Sequence, residues 1–308
     1  MVEQRVPLSP PEPPRRRPRS SRGQLALRRA IALVLLLGGL GLAVWLVTVA
    51  VGGGDKKKPA PAIPVAPPSL KIVFPEGFTR AQMAERISAV DRIAREKRKI
   101  TARLSARAYL KATASSLTPG KFARDGKRRP LEGFLFPATY DFEARTTSRH
   151  LVEQQFAAFQ RNWSKVNLRY AKSKNLTPYD VLIIASLVEK EALAPDERPK
   201  IARVIYNRLH AHMNLGIDAT TRYGLHVPGT KSLTQSQLAS DNPYNTRNPN
   251  VVGLPPTPIA NPGLAAMQAA AHPAAGNWLY FVRKPDRVHH YFTDNFNDFV
   301  NHEHQYGY

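Results

Sequence analysis

Two stretches of the chain are apolar nearly all round, and they differ in length and setting. Ala30 to Val51 carries no charge and is long enough to cross a hydrocarbon layer of roughly 30 Å as a helix. Val181 to Val188 is shorter and has polar flanks, so it predicts a helix buried on most of its faces. The start of that second helix is readable. Thr177 can cap it, Pro178 suits the first helical position, and Asp180 completes a box-like arrangement. Two carboxylates, Glu189 and Glu191, follow the apolar run. At about 100° per residue they point roughly 200° apart and do not face the same cavity. A buried helix that ends on an acid invites a chemical reading, because burial raises a carboxyl pKa toward the range of a proton donor.

Elsewhere the pattern predicts shorter elements. Lys71 to Phe74 reads as a strand, Pro75-Glu76-Gly77 as a turn, and Thr79 as the cap of a helix with Ala81, Ala84, Ile87 and Ser88 on one side. A second helix is expected over Ala102–Ala114, a compact aromatic segment over Leu131–Phe142, and one long amphipathic helix over His150–Lys174. After the break at Pro195, Glu197 to His212 reads as a helix. Ile217 to Gly224 is polar and loop-like, and two turn-dense runs follow, Asn242–Arg247 and Val252–Pro258. Loops of that length in a compact domain are uncommon and usually functional. Pro262–His272 reads as a helix, Trp278–Val282 and His290–Thr293 as strands, and Phe296–His302 as a short terminal helix.

Charge changes this picture mainly at the front. The 308 residues carry a formal +22, and up to Ala60 there are eleven basic residues against three acidic ones. Residues 1–29 read as a disordered basic tail. Its arginines, massed just before residues 30–51, predict an N-terminus held in the cytoplasm. The length of that run and the lack of an A-x-A site after it predict an uncleaved anchor, with everything beyond it extracytoplasmic. Residues 52–69 form a Gly/Pro linker. The basic body suits an anionic partner such as acidic lipid or an anionic wall polymer. Zinc-finger, RNP and helix-turn-helix patterns are lacking, which argues against nucleic acid. With no cysteine, disulfides and thiolate metal sites are excluded. His289, His290, His302 and His304 form no ligand pattern such as H-E-x-x-H, so neither a metal nor another cofactor is expected.

Five islands, in order, resemble the YceG-like family of endolytic murein transglycosylases (MltG). They are Leu131–Tyr140 (LEGFLFPATY), Ala185–Glu191 (ASLVEKE), Val204–Leu209 (VIYNRL), Tyr244-Asn245-Thr246 with Gly253–Pro256, and Leu279–Val282 with His290. The resemblance covers about Leu70 to the C-terminus. It implies an α+β protein: a small LysM-like αβ unit at 70–116 and a mixed α/β catalytic domain at 117–308, with long loops around a cleft. It also implies cleavage of nascent peptidoglycan between N-acetylmuramic acid and N-acetylglucosamine, leaving 1,6-anhydro-muramyl ends. Glycan strands, the cytoplasmic membrane and cell-wall synthases are the implied partners.

That chemistry needs one carboxyl group, which protonates the leaving oxygen and then takes the C6 hydroxyl proton. The resemblance places it on Glu189. The residues alone leave Glu189 and Glu191 open; small neighbours, Ala185 and Ser186, make room beside the first, and Arg208 is a candidate ion-pair partner for the second. For substrate binding the resemblance points to Asp218, Thr220, Asn245 and Thr246, with Glu132 and Tyr223 as further candidates and Tyr244 able to stack on a sugar ring. Gly216 and Ala219 depart from the family's Q-x-D-P-T-like loop. The competing reading is a non-catalytic, membrane-anchored wall-binding scaffold.

Overall fold

The computed structural model describes residues 22–52, 69–114, 122 and 128–308; most of the basic tail, nearly all of the linker and most of the connector at 115–127 lie outside the described residues. The N-terminal unit contains helix α1 (Arg22–Gly52). Within it Ala30–Val49 is long and apolar enough to cross a membrane.

Residues 66–308 form one compact unit. Strand β1 (Leu70–Val73) leads through a turn into α2 (Arg80–Arg98), then α3 (Ala106–Ala114), β2 (Thr139–Phe142) and α4 (Ser148–Trp163). Next come α5 (Arg169–Ser173), α6 (Pro178–Glu191) and, after a single 3-10 turn at Pro195–Glu197, α7 (Arg198–His210). Short helices α8 (Asp218–Gly224) and α9 (Gln235–Leu238) sit in the loop region. The chain ends with α10 (Leu264–Ala271), strands β3 (Tyr280–Arg283) and β4 (His290–Thr293), and α11 (Phe296–Tyr306).

The strands make two antiparallel pairs. β1 pairs with β2 in the register Ile72↔Tyr140, and β3 with β4 in the register Val282↔Tyr291. One core runs from Ile72 through Phe134, Phe159 and α6 to Ala271. The segments read as a small unit and a larger domain therefore share a sheet and a core.

Local chemistry explains the ends of the elements. α2 starts with a reciprocal box, Gln82 N–H to Thr79 Oγ1 at 3.2 Å and Thr79 N–H to Gln82 Oε1 at 2.9 Å. It buries Met83, Ala84 and Ile87; Ala81 and Ser88, which share a side with Ala84 and Ile87 by spacing, are exposed. α3 begins only at Ala106, because Ser105 Oγ accepts the Ala108 N–H at 3.0 Å. The long helix expected over His150–Lys174 is two helices. α4 closes at Ser164, whose N–H reaches back to Gln160 and Asn162, and α5 restarts where Asn167 Oδ1 accepts the Arg169 N–H at 3.0 Å. The loop expected over Ile217–Gly224 is helix α8. It escapes periodicity because its inward residues are threonines, held by hydrogen bonds rather than apolar burial.

Candidate active site

α6 carries the reciprocal box its sequence predicts, Asp180 N–H to Thr177 Oγ1 at 3.1 Å and Thr177 N–H to Asp180 Oδ2 at 2.8 Å. Leu182, Ile184, Leu187 and Val188 are fully buried, each contributing about 1.5–3 kcal/mol relative to exposure. Ser186 Oγ accepts the Ile259 N–H at 3.0 Å, tying the helix to the segment that enters α10. These contacts set the rotation of α6 and therefore the exit direction of Glu189.

The Glu189 carboxyl group is half-buried, and its Oε2 accepts the N–H of Gly263, the N-cap of α10, at 2.9 Å. It forms no ion pair among the described residues. Burial raises its pKa above the usual carboxylate value; the Gly263 N–H opposes the rise, the Glu76 carboxylate adds to it, and Arg198 and Lys190 oppose it. The group combines access with a bias toward keeping a proton.

Glu191 points elsewhere. Burial raises its pKa too, first opposed by Arg283, while the charge of Asp218 adds to the rise. Arg208 is not its partner. That guanidinium donates to the carbonyls of Leu279 at 2.5 Å, Leu215 at 2.7 Å and Asn214 at 3.2 Å. Gly216, which departs from the family's loop pattern, lies in the backbone turn that Arg208 braces. This residue has φ +64°, and a Cβ there would lie 3.0 Å from Arg208 Nη1.

Thr220, Asn245 and Thr246 come together inside the loop region, and all three are fully buried. Thr246 Oγ1 accepts the Ile217 N–H at 3.0 Å and lies 2.9 Å from Thr220 Oγ1. Asn245 Oδ1 accepts from Thr221 Oγ1 at 2.9 Å, and its amide donates to the carbonyls of Leu238 and Ser240, each at 2.8 Å. Their polar atoms lace α8 to the loop at 242–248. Asp218 stands at the surface of this lacing in an ion pair with Arg247.

Glu132 and Tyr223 belong to a second cluster. Glu132 is buried and accepts the Arg80 N–H at 3.0 and 3.2 Å, the Asn261 amide at 2.8 Å and the Tyr223 hydroxyl at 3.1 Å. Burial lifts its pKa to about 7 against the pull of the Arg80 charge and of these donors. Both residues line a pocket of about 500 Å³ with Arg80, Lys190, Arg222 and His226; Glu189 is not among the residues lining it. Tyr244 packs on Tyr223 with ring centroids 5.1 Å apart, and its hydroxyl lies 2.7 Å from Thr257 Oγ1.

His290 is paired inside the protein. Its Nδ1 lies 2.7 Å from Glu197 Oε2, and Glu197 also accepts the His290 backbone N–H at 2.9 Å. Among the described residues no three His, Cys, Asp or Glu side chains converge as metal ligands.

The sequence model of the YceG-like family matches residues 59–305. The chain belongs to the YceG-like family. Among its relatives, the endolytic murein transglycosylase of Streptococcus pneumoniae R6 is 33% identical over 254 residues, covering 76% of this chain and 44% of that protein. The endolytic murein transglycosylase of Bacillus subtilis 168 is 33% identical over 220 residues, covering 70% and 59%. The chain thus spans about half the length of these curated relatives. A crystal structure of a yceG-like protein from Listeria monocytogenes superposes with a TM-score of 0.58 at 30% identity, covering 75% of each chain.

In this YceG-like chain two site-forming residues lie outside the site residues that the sequence points to. Asn261 sits in a turn-rich run, yet its Oδ1 accepts the Leu135 N–H at 2.9 Å and its amide reaches both Phe78 O and Glu132. Glu76 looks like an ordinary turn acid, yet its carboxylate lies against Gly263.

Proposed function

We propose that this chain is a membrane-anchored endolytic peptidoglycan lytic transglycosylase with Glu189 as its single general acid and base. The observation that carries the reading is the setting of Glu189. It is a half-buried carboxyl group at the end of an apolar helix, held by one backbone N–H, in a family whose named relatives are endolytic murein transglycosylases.

In this scheme Glu189 gives its proton to the glycosidic oxygen between N-acetylmuramic acid and N-acetylglucosamine as the bond to the anomeric carbon breaks. The muramyl C6 hydroxyl oxygen closes on that carbon, and the Glu189 carboxylate takes the hydroxyl proton. A 1,6-anhydro ring forms, no water is consumed, and the acid is regenerated without a cofactor. The raised pKa of Glu189 suits the first step, and its low count of fixed partners suits the second. The glycan lies across the pocket lined by Glu132, Tyr223 and Lys190 and reaches Glu189, which stands beside Lys190 outside the pocket lining. Thr220, Asn245 and Thr246 serve binding by shaping the loop, and Asp218 with Arg247 forms its polar face.

Residues 70–116 stand as the LysM-like part of this unit. Residues 30–51 anchor it in the cytoplasmic membrane with the basic tail inside, so that it meets nascent strands beside cell-wall synthases. The test is product mass. Incubation with uncross-linked glycan strands should release fragments whose muramyl ends are one water lighter than reducing ends. Reducing ends alone would overturn the transglycosylase assignment.

A further inference from the structure

The turn after β1 reaches the candidate catalytic acid. An ideal Cβ on Gly77 would sit 3.5 Å from Glu189 Cγ, so the turn backbone lies directly on that side chain. Lys190 Nζ donates to the Gly77 carbonyl at 3.4 Å, the Gly77 N–H donates to Asn261 O at 3.0 Å, and Asn261 N–H donates to Phe78 O at 2.9 Å. The turn is therefore pinned on both sides. It delivers Glu76 to the residue that Glu189 also contacts. A Cβ on Gly263 would overlap the Glu76 carboxyl group, while the Gly263 N–H is the donor to Glu189 Oε2. Gly263 has φ −75°, which any residue adopts, so its backbone does not require glycine; the close approach of Glu76 does. Two carboxyl groups from distant parts of the chain thus converge on one glycine.

We propose that Glu76 is a positioning residue for Glu189, its carboxylate holding the proton on the Glu189 carboxyl group until the glycosidic oxygen arrives to take it. This inference rests on the reading of Glu189 as the general acid and deepens it. A negative charge beside a carboxyl group disfavours loss of its proton, and Glu76 acts on Glu189 in that sense. The other groups facing Glu189 act the opposite way: Lys190 from its own helix, Arg198 from the start of α7 and the Gly263 N–H from the start of α10. Glu76 is the one of these four that favours the donor form. The segment read as a LysM-like unit then supplies part of the catalytic centre as well as a surface for glycan.

The test is the pH profile of kcat/KM for the full chain acting on uncross-linked glycan strands. Its alkaline limb reports loss of the Glu189 proton. In Glu76→Gln that limb should move to lower pH, so that activity at a fixed pH on the limb falls roughly 3- to 10-fold. Glu76→Asp, which keeps a carboxylate, should move it less. Gly263→Ala, whose methyl group displaces the Glu76 carboxylate, should move it in the same direction and carries the test if Glu76→Gln melts early. A limb that stays in place or moves upward in folded Glu76→Gln overturns the inference. Glu189→Gln separates the two claims. If that variant is inactive and the Glu76 limb does not move, only the role of Glu76 fails; if Glu189→Gln stays active, the reading beneath it fails as well.

Discussion

The side-chain amide of Asn261 donates to Glu132 Oε1 at 2.8 Å across 129 positions of sequence, and the same amide donates to the Phe78 carbonyl at 2.9 Å. One buried residue therefore fastens the turn after β1, the turn at Glu132–Leu135 and the entry to α10. Asn261→Ala should cost about 2–4 kcal/mol, because it strands the Leu135 N–H and removes a donor from buried Glu132. In a unit of this size each kcal/mol lowers Tm by about 2–4 °C. A thermal melt of the variant checks this, and an unchanged Tm would contradict it.

Glu132 makes stability depend on pH in a definite direction. Its pKa rises from the usual 4.5 to about 7 on folding, so the folded protein holds that proton more tightly than the unfolded chain. The stabilisation is fully present below pH 4.5 and is lost as pH rises through about 7. Its size is on the order of a few kcal/mol. Burial raises Glu189 and Glu191 as well, so they tilt the curve in the same sense. Glu132→Gln should therefore reduce the fall in Tm between pH 4.5 and about 7 without removing it. Parallel curves for the two proteins would show that Glu132 does not carry this dependence.

The Glu197–His290 pair ties the 3-10 turn before α7 to the start of β4. Both side chains are almost completely buried. Glu197→Ala leaves the imidazole and the His290 N–H without their acceptor, at about 1–3 kcal/mol for each stranded donor. Glu197→Gln keeps one acceptor oxygen and should cost less. Hydrogen exchange should show the loss first at the β3–β4 hairpin; equal protection there in Glu197→Ala would contradict the assignment.

How far the sequence could be read follows from the range of the forces involved. α6 was legible because its cap, Thr177 with Asp180, and its apolar run are local. The divergence of Glu189 and Glu191 needed only the helical turn angle. α8 was not legible, because Thr220 and Thr221 are buried through hydrogen bonds to Ile217, Thr246 and Asn245, which periodicity does not register. The break after Trp163 depends on backbone bonds of Ser164 in a stretch whose apolar pattern continues. The approach of Glu76 to Gly263, and the hub at Asn261, join segments more than a hundred residues apart and leave no local mark. The choice of Glu189 came from the resemblance, since two raised carboxyl groups on one helix end look alike to periodicity.

Glu189, proposed as the acid and base of a glycan-cleaving site, has a close isostere in glutamine. Glu189→Gln keeps an oxygen to accept the Gly263 N–H at nearly the same volume, so its melting curve should match that of the parent protein. The most direct measurement is mass spectrometry of uncross-linked glycan strands after incubation with each protein. The parent should yield 1,6-anhydro-muramyl ends, and folded Glu189→Gln should yield none above the no-enzyme background. Anhydro ends formed by Glu189→Gln at the parent rate would contradict that role of Glu189.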